Sequence, residues 1–299
     1  MNDALKTYTK SDFPLGKSGY STYTIFEYKF ESLHSFISYI KSQPVNKKIF
    51  ESLSSETENY KFTKTNSFDE AINLCMYGCD ENFEKFLKLK NEVSKSLLNP
   101  LEKSIIYKDV VGYAPSVPDF LIGSPLNMWN KKTSYFDNLI DVYIQLGYPY
   151  FTETSQIYNR GAITLSLIDA LEKFGYSVNL IPFSLSIDYD EIILAYFNLK
   201  DTSSYINEKK CFFPLCHPAF HRRLVFKLIE TTPVESHGWA SGYGSPKSNI
   251  DIIKKIINCK ENSIIISAPG RLNISGENIY EDLQAMLKCI DFEKYITRY

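Results

Sequence analysis

The chain has 299 residues, twice the roughly 150 typical of a domain, so one large domain and two modest ones are both admissible. Hydrophobic residues at 44% and charged residues at 23% exclude a collagen-like, coiled-coil or wholly disordered chain. With 33 basic against 35 acidic side chains the net charge is −2, which supplies no global field for drawing in a polyanion.

Met1 to Gly19 carries no apolar signal-peptide core, and no run of eighteen apolar residues occurs, so a leader and a membrane span are not expected. The six cysteines, at 75, 79, 211, 216, 259 and 289, sit in a chain large enough not to need staples and are expected as free thiols. These features predict a cytoplasmic protein with no membrane partner.

From Tyr28 to about Leu98 the pattern predicts mainly helix. Phe30, Leu33, Phe36, Ile37 and Ile40 share one 3.6-residue face that stops at Gln43 and Pro44. Ser67 and Glu70 form a capping box ahead of Ala71, Ile72, Leu74 and Cys75, with Gly78 as the stop. A further amphipathic helix runs from Asn82 to Asn99 and Pro100. Ile105 to Val111 then reads as a short strand, and the glycines and prolines between Gly112 and Pro125 predict a structured loop.

Beyond it, Leu139 to Leu146 reads as a strand, Gly161 to Phe174 as a helix closed by Gly175, and Tyr176 to Leu185 as a strand, which is a βαβ unit. Glu191 to Leu199 predicts a strand, Pro218 to Ile229 a helix with His217 near its cap, and Ile250 to Ile257 a helix. Ser263 to Ser267 reads as a buried strand and Asn278 to Ile290 as the closing helix. The alternation predicts a three-layer, Rossmann-like α/β domain over 104–299, preceded by a mainly helical region over 1–103.

Several constellations carry chemistry. His217, His221 and His237 lie near Cys211 and Cys216, and a His pair at i, i+4 can share a zinc ion; satisfied structural histidines are the commoner outcome. No glutamate stands between the first two histidines. Arg222, Arg223 and Lys227 give the same helix a basic face, suited to phosphate or an acidic partner and equally to solvent. The loop from Ser236 to Pro246 places three glycines beside His237, Trp239 and Tyr243, without a nucleotide fingerprint, and an ordered loop pinned by its aromatics is favoured. Asp188 and Asp190 with Ser184 and Ser186 offer oxygen ligands, but an Asp-rich turn is the simpler reading. No G-x-S-x-G elbow supports a serine hydrolase.

Four separated stretches carry a resemblance: Thr65 to Ala71 with Gly78; Val111 to Pro118 leading to Gly123 and Met128; Arg160-Gly161-Ala162 with Leu171 to Tyr176; and His217-Pro218 with Arg222, Arg223, Leu224 and Phe226. Together, over about 62–230, they resemble an uncharacterised family of phage and prophage proteins. The second half is similar to a degenerate von Willebrand A domain. The metal motif D-x-S-x-S of that fold has no counterpart at Ile144 to Tyr148, so its metal-dependent adhesion does not carry over.

The resulting expectation, in which the host cell enters only through the resemblance, is a non-catalytic binding or scaffolding protein acting in the host cytoplasm during infection, with a protein partner, no cofactor and no metal. Its expected contact surface is Tyr113, Pro118, Gly123 and Met128, with Arg160 and Gly161 as an anion receptor at a helix start, and His217, His221, Arg222, Arg223 and Trp239. The rivals are a metal-dependent hydrolase or nuclease using His, Cys and Asp, and a single-stranded nucleic-acid binder, which the net charge does not support.

Overall fold

The computed structural model describes residues 4–11, 22–50, 53, 56, 60–98, 106–131, 139–246 and 249–292. Asn99, Pro100, Ile105 and the expected 103/104 boundary lie outside them. Within them the chain is a mixed α/β protein.

Two strands, β1 (Leu5–Ser11) and β2 (Thr22–Phe30), open the fold, followed by helices α1 (Leu33–Ser42), α2 (Tyr60–Thr63), α3 (Phe68–Tyr77) and α4 (Phe83–Leu98). The expectation of helix from Tyr28 is thus corrected at its start. In β2 the alternation Tyr23, Ile25 against Phe26, Tyr28, Phe30 has period two and buries both faces of the strand. Ser67 caps α3 as predicted, its Oγ accepting from the Glu70 amide at 3.1 Å, while Glu70 reaches back to the Asn66 amide rather than to Ser67.

A small antiparallel unit follows: β3 (Ile106–Asp109), β4 (Ala114–Pro115), helix α5 (Val117–Leu121) and β5 (Met128–Lys131), with β5 in the middle. The loop expected here therefore holds a short sheet and a helical turn. Gly112 is where the turn crosses β5; an added Cβ would stand 2.1 Å from the Trp129 carbonyl oxygen.

Next come β6 (Leu139–Gln145), α6 (Thr154–Lys173), β7 (Ser177–Asp188) and β8 (Glu191–Phe197). β6 and β7 pair in parallel around α6, and Gly175 adopts φ 84°, as the βαβ reading requires. β8 turns back antiparallel on β7. A helix absent from the sequence reading, α7 (Glu208–Cys216), precedes a π-helical stretch, Phe220–Val225, and α8 (Phe226–Thr231). The single helix expected over 218–229 is thus two segments with different hydrogen-bond spacing. β9 (Ser245–Pro246), α9 (Ile250–Ile257), β10 (Ile264–Ile266) and α10 (Ile279–Cys289) complete the chain.

The main sheet runs β1-β2-β8-β7-β6-β10, with β9 pairing at the end of β7. β2 lies parallel to β8, so the N-terminal strands are part of the same sheet as the later βαβ unit. Alternate side chains feed two apolar cores. Ile193, Ala195 and Phe197 of β8 join Val142, Ile144, Ile264, Ile266 and helices α1, α3, α4, α6 and α7. Ile192 and Leu194 join Tyr23, Ile25, Phe183, Leu185 and Ile265 beneath α9. Buried nearly all round from Ile157 to Leu171, α6 lies at the centre of the larger core.

Candidate functional site

The residues expected to share one surface occupy two places. Tyr113, Pro118, Gly123 and Met128 belong to the β3–β5 unit, and only Met128 among them is half-buried. Helix α5 starts where Pro118 fits the first turn and ends at Gly123, which takes φ 71°. None of its residues is buried. Val110, Val111, Tyr113, Val117, Phe120, Leu121, Ile122 and Leu126 are all exposed, Ile122 to 79%. Between Val110 and Asn127 the one formal charge is Asp119. Its carboxylate meets Lys108 at 2.6 Å and accepts from Ser116, and these contacts, Lys108 first, hold it below the ordinary carboxylate range. From Val110 to Asn127 the unit therefore presents an apolar surface whose single carboxylate is already ion-paired.

The second place is the C-terminal edge of β6 and β10, and it revises Arg160. Helix α6 begins at Thr154, so Arg160 lies in its second turn and not at its start. Only 1% exposed, its Nη1 donates to the carbonyls of Gln145 at 2.7 Å and Ser267 at 3.2 Å, at the ends of the two parallel strands. Burial pulls this guanidinium down to about 10. Arg160 is thus a cross-strand pin rather than a solvent-facing anion receptor. Gly161 serves packing: a Cβ there would lie 2.3 Å from Cys216 Sγ, so α6 and α7 cross where only glycine fits.

Around Arg160 stand Tyr148, His221 and Arg222. Tyr148 is buried, donates to the Pro218 carbonyl at 3.2 Å, and is pushed up to about 12 by burial. His221 packs between Tyr148, 5.1 Å between ring centres, and Phe226, at 5.0 Å. Both its ring nitrogens are buried without a hydrogen-bond partner, and desolvation first, then Arg222 and Arg160, hold it well below its usual value. Arg222 lies over the Tyr148 and Phe226 rings at 5.0 and 5.4 Å and donates to the Tyr148 carbonyl at 3.2 Å. Its neighbour Arg223 turns the other way and is fully buried.

The remaining expected residues separate. His217 caps α7, its Nδ1 accepting from the Ala219 amide at 3.2 Å, and desolvation lowers it to about 4. His237 is exposed on a short 3-10 turn, His237–Ser241. Among the described residues no group of three His, Cys, Asp or Glu side chains gathers to hold a metal ion. Trp239 is 0% exposed, so it offers no stacking face; its Nε1 donates to Glu191 at 2.8 Å. Tyr243 stacks on Phe226 at 4.0 Å, and Asp188 accepts from Ser236 at 2.7 Å. The Gly-rich loop is pinned by its aromatics, as favoured from the sequence. Tyr148, Lys61 and Lys64 were not singled out from the sequence, because their placement depends on chain folding over more than 80 residues.

A family model described as a domain of unknown function, DUF7192, matches residues 9–294. No curated protein and no solved structure gives a match.

Proposed function

We propose a non-catalytic binding role for this chain, which belongs to the DUF7192 family over nearly its whole length. Its contact surface is the β3–β5 unit, and its partner is a protein with a complementary uncharged, apolar patch. One observation carries this: eight large apolar side chains stand exposed between Val110 and Leu126, a stretch whose only carboxylate, Asp119, is ion-paired with Lys108. Contiguous apolar surface of that kind marks interaction sites, and interface cores are depleted in charge. The resemblance of residues 62–230 to phage and prophage proteins supports a role during infection. The parallel β6-α6-β7 unit supports a distant von Willebrand A-like, Rossmann-like layering that holds the β3–β5 unit out.

A photo-crosslinking residue replacing Ile122 in the full chain tests this, with Tyr205, 96% exposed and remote in sequence, as the control position. The expected result is one saturable protein adduct from Ile122 alone, whose purified form binds wild type and not V111S/F120S/I122S. That variant should melt within about 0.5 kcal/mol of wild type, since exposed side chains contribute little to folding. Adducts only with a second copy, or binding to phosphatidylcholine vesicles in place of protein, would overturn the reading.

A further inference from the structure

A cavity of about 450 Å³ opens beside the Tyr148 cluster, with Tyr148 and Arg222 in its lining. Its cationic wall is Lys61, Lys64 and Arg222; its aromatic wall is Tyr148, Tyr150 and Phe151. Glu153 is the one acidic side chain lining it, leaving a local excess of two positive charges in a chain of net charge −2. Thr154, also in the lining, is the first residue of the 20-residue helix α6, whose first turn Glu153 and Gln156 close in a reciprocal capping box.

The cationic wall is built rather than incidental. Arg223 donates from Nε to Thr65 Oγ1 at 2.7 Å and from Nη2 to the Thr65 carbonyl at 2.9 Å, clamping the segment after α2 onto the π-helical stretch. That clamp holds the segment that carries Lys61 and Lys64 beside the stretch that carries Arg222, and all three line the cavity. Arg222 is itself fixed by two rings and a carbonyl, so its guanidinium needs little reordering to meet a ligand. At the rim, Tyr150 and Phe151 are 77% and 70% exposed and meet edge to face at 5.5 Å, leaving ring surface open to the cavity mouth. Its position outside the carboxyl end of β6, between neighbours β7 and β10, is where ligands bind in open α/β sheets. The volume matches a small-molecule site.

We infer that this cavity binds a phosphorylated small molecule bearing a planar ring, a nucleoside monophosphate in size and chemistry, with its phosphate on Lys61, Lys64 and Arg222 and its ring against Tyr150 and Phe151. This is separate from the β3–β5 surface and stands or falls on its own.

The test is calorimetric titration of the full chain with adenosine 5′-monophosphate, inorganic phosphate and adenosine. K61E/K64E and Y150A/F151A are compared, each checked by thermal melting against wild type; all four positions line the cavity mouth and none is in the core. The expected result is saturable binding of the nucleotide, at least tenfold weaker in K61E/K64E, weaker in Y150A/F151A, and falling with added salt. Absence of saturable nucleotide binding at millimolar concentration, or binding that neither variant changes, overturns the site. Equal affinity for inorganic phosphate, with Y150A/F151A unaffected, overturns the planar-ring assignment. A loss of nucleotide binding in V111S/F120S/I122S would show that the two surfaces are one and overturn their separation.

Discussion

Arg223 and Thr65, 158 residues apart in sequence, are joined by two hydrogen bonds from one guanidinium, to the side-chain oxygen and to the carbonyl of the same residue. Both are fully buried. A lysine at 223 keeps the charge but cannot present two parallel donors. Arg223→Lys should therefore lower stability by about 2–4 kcal/mol in urea melts, since bonds to charged groups contribute about 1.5–3 kcal/mol each and are not additive. Thr65→Val, which removes the hydroxyl acceptor and its long bond to the Thr63 hydroxyl but keeps the carbonyl, should lose about half as much. Equal stability of R223K and wild type would refute the clamp.

Gly161→Ala should destabilise, against the usual sign. In an exposed helix interior alanine is favoured over glycine by about 1 kcal/mol. Here the new methyl would sit 2.3 Å from Cys216 Sγ and 3.0 Å from the Leu215 carbonyl oxygen, so α6 and α7 must part. Overpacking of this kind costs about 1–3 kcal/mol. Because the thiol makes the closest approach, G161A/C216A should recover part of the loss while the Leu215 carbonyl limits the rescue. A double-mutant cycle in denaturant measures the coupling.

Glu191 organises the Gly-rich loop. One carboxylate accepts from the Trp239 indole at 2.8 Å and from the amides of Glu235 at 2.9 Å and Ser236 at 3.1 Å. Glu191→Leu would strand three donors and should cost about 3–5 kcal/mol, whereas Trp239→Phe removes one bond and some volume and should cost about 1–3 kcal/mol. Iodide should quench Trp239 weakly in wild type and strongly in the Glu191 variant.

The legible parts of the fold were those encoded locally. Ser67 with Glu70, Gly175 after α6, and the β-branched run at Ile264–Ile266 each announce themselves within a few residues. β2 was hidden because, buried on both faces, Phe26 and Tyr28 merge with the α1 apolar stripe into one run. Helix α7 was hidden by Pro214 inside it. At the site, residue types drew attention to Arg160, His221 and Trp239, but identity alone does not separate an exposed arginine from one that pins two strand ends. Gly161 next to Arg160 looked like a helix start; the start lies at Thr154, and the glycine answers to α7 instead.

Acid should unfold the protein through its buried imidazoles. His217 is held down to about 4 and His221 well below the ordinary value, each chiefly by desolvation, so both are neutral in the fold at pH 6.5 while an unfolded histidine is half protonated there. A depressed folded value means that the stability is fully present above about pH 6.5 and is lost as pH falls, since the unfolded chain then binds protons the folded chain refuses. For His217 the window closes near pH 4, and His221 loses its contribution in the same direction as pH falls. Each neutral histidine contributes a slope of up to about 1.4 kcal/mol per pH unit within its window. Urea midpoints should therefore fall from pH 7 to 4.5. His221→Phe, which keeps a ring between Tyr148 and Phe226 and removes two unpartnered nitrogens, should flatten that fall by about one proton's slope. A profile as steep in the variant as in wild type would mean that the imidazole of His221 is not what acid attacks.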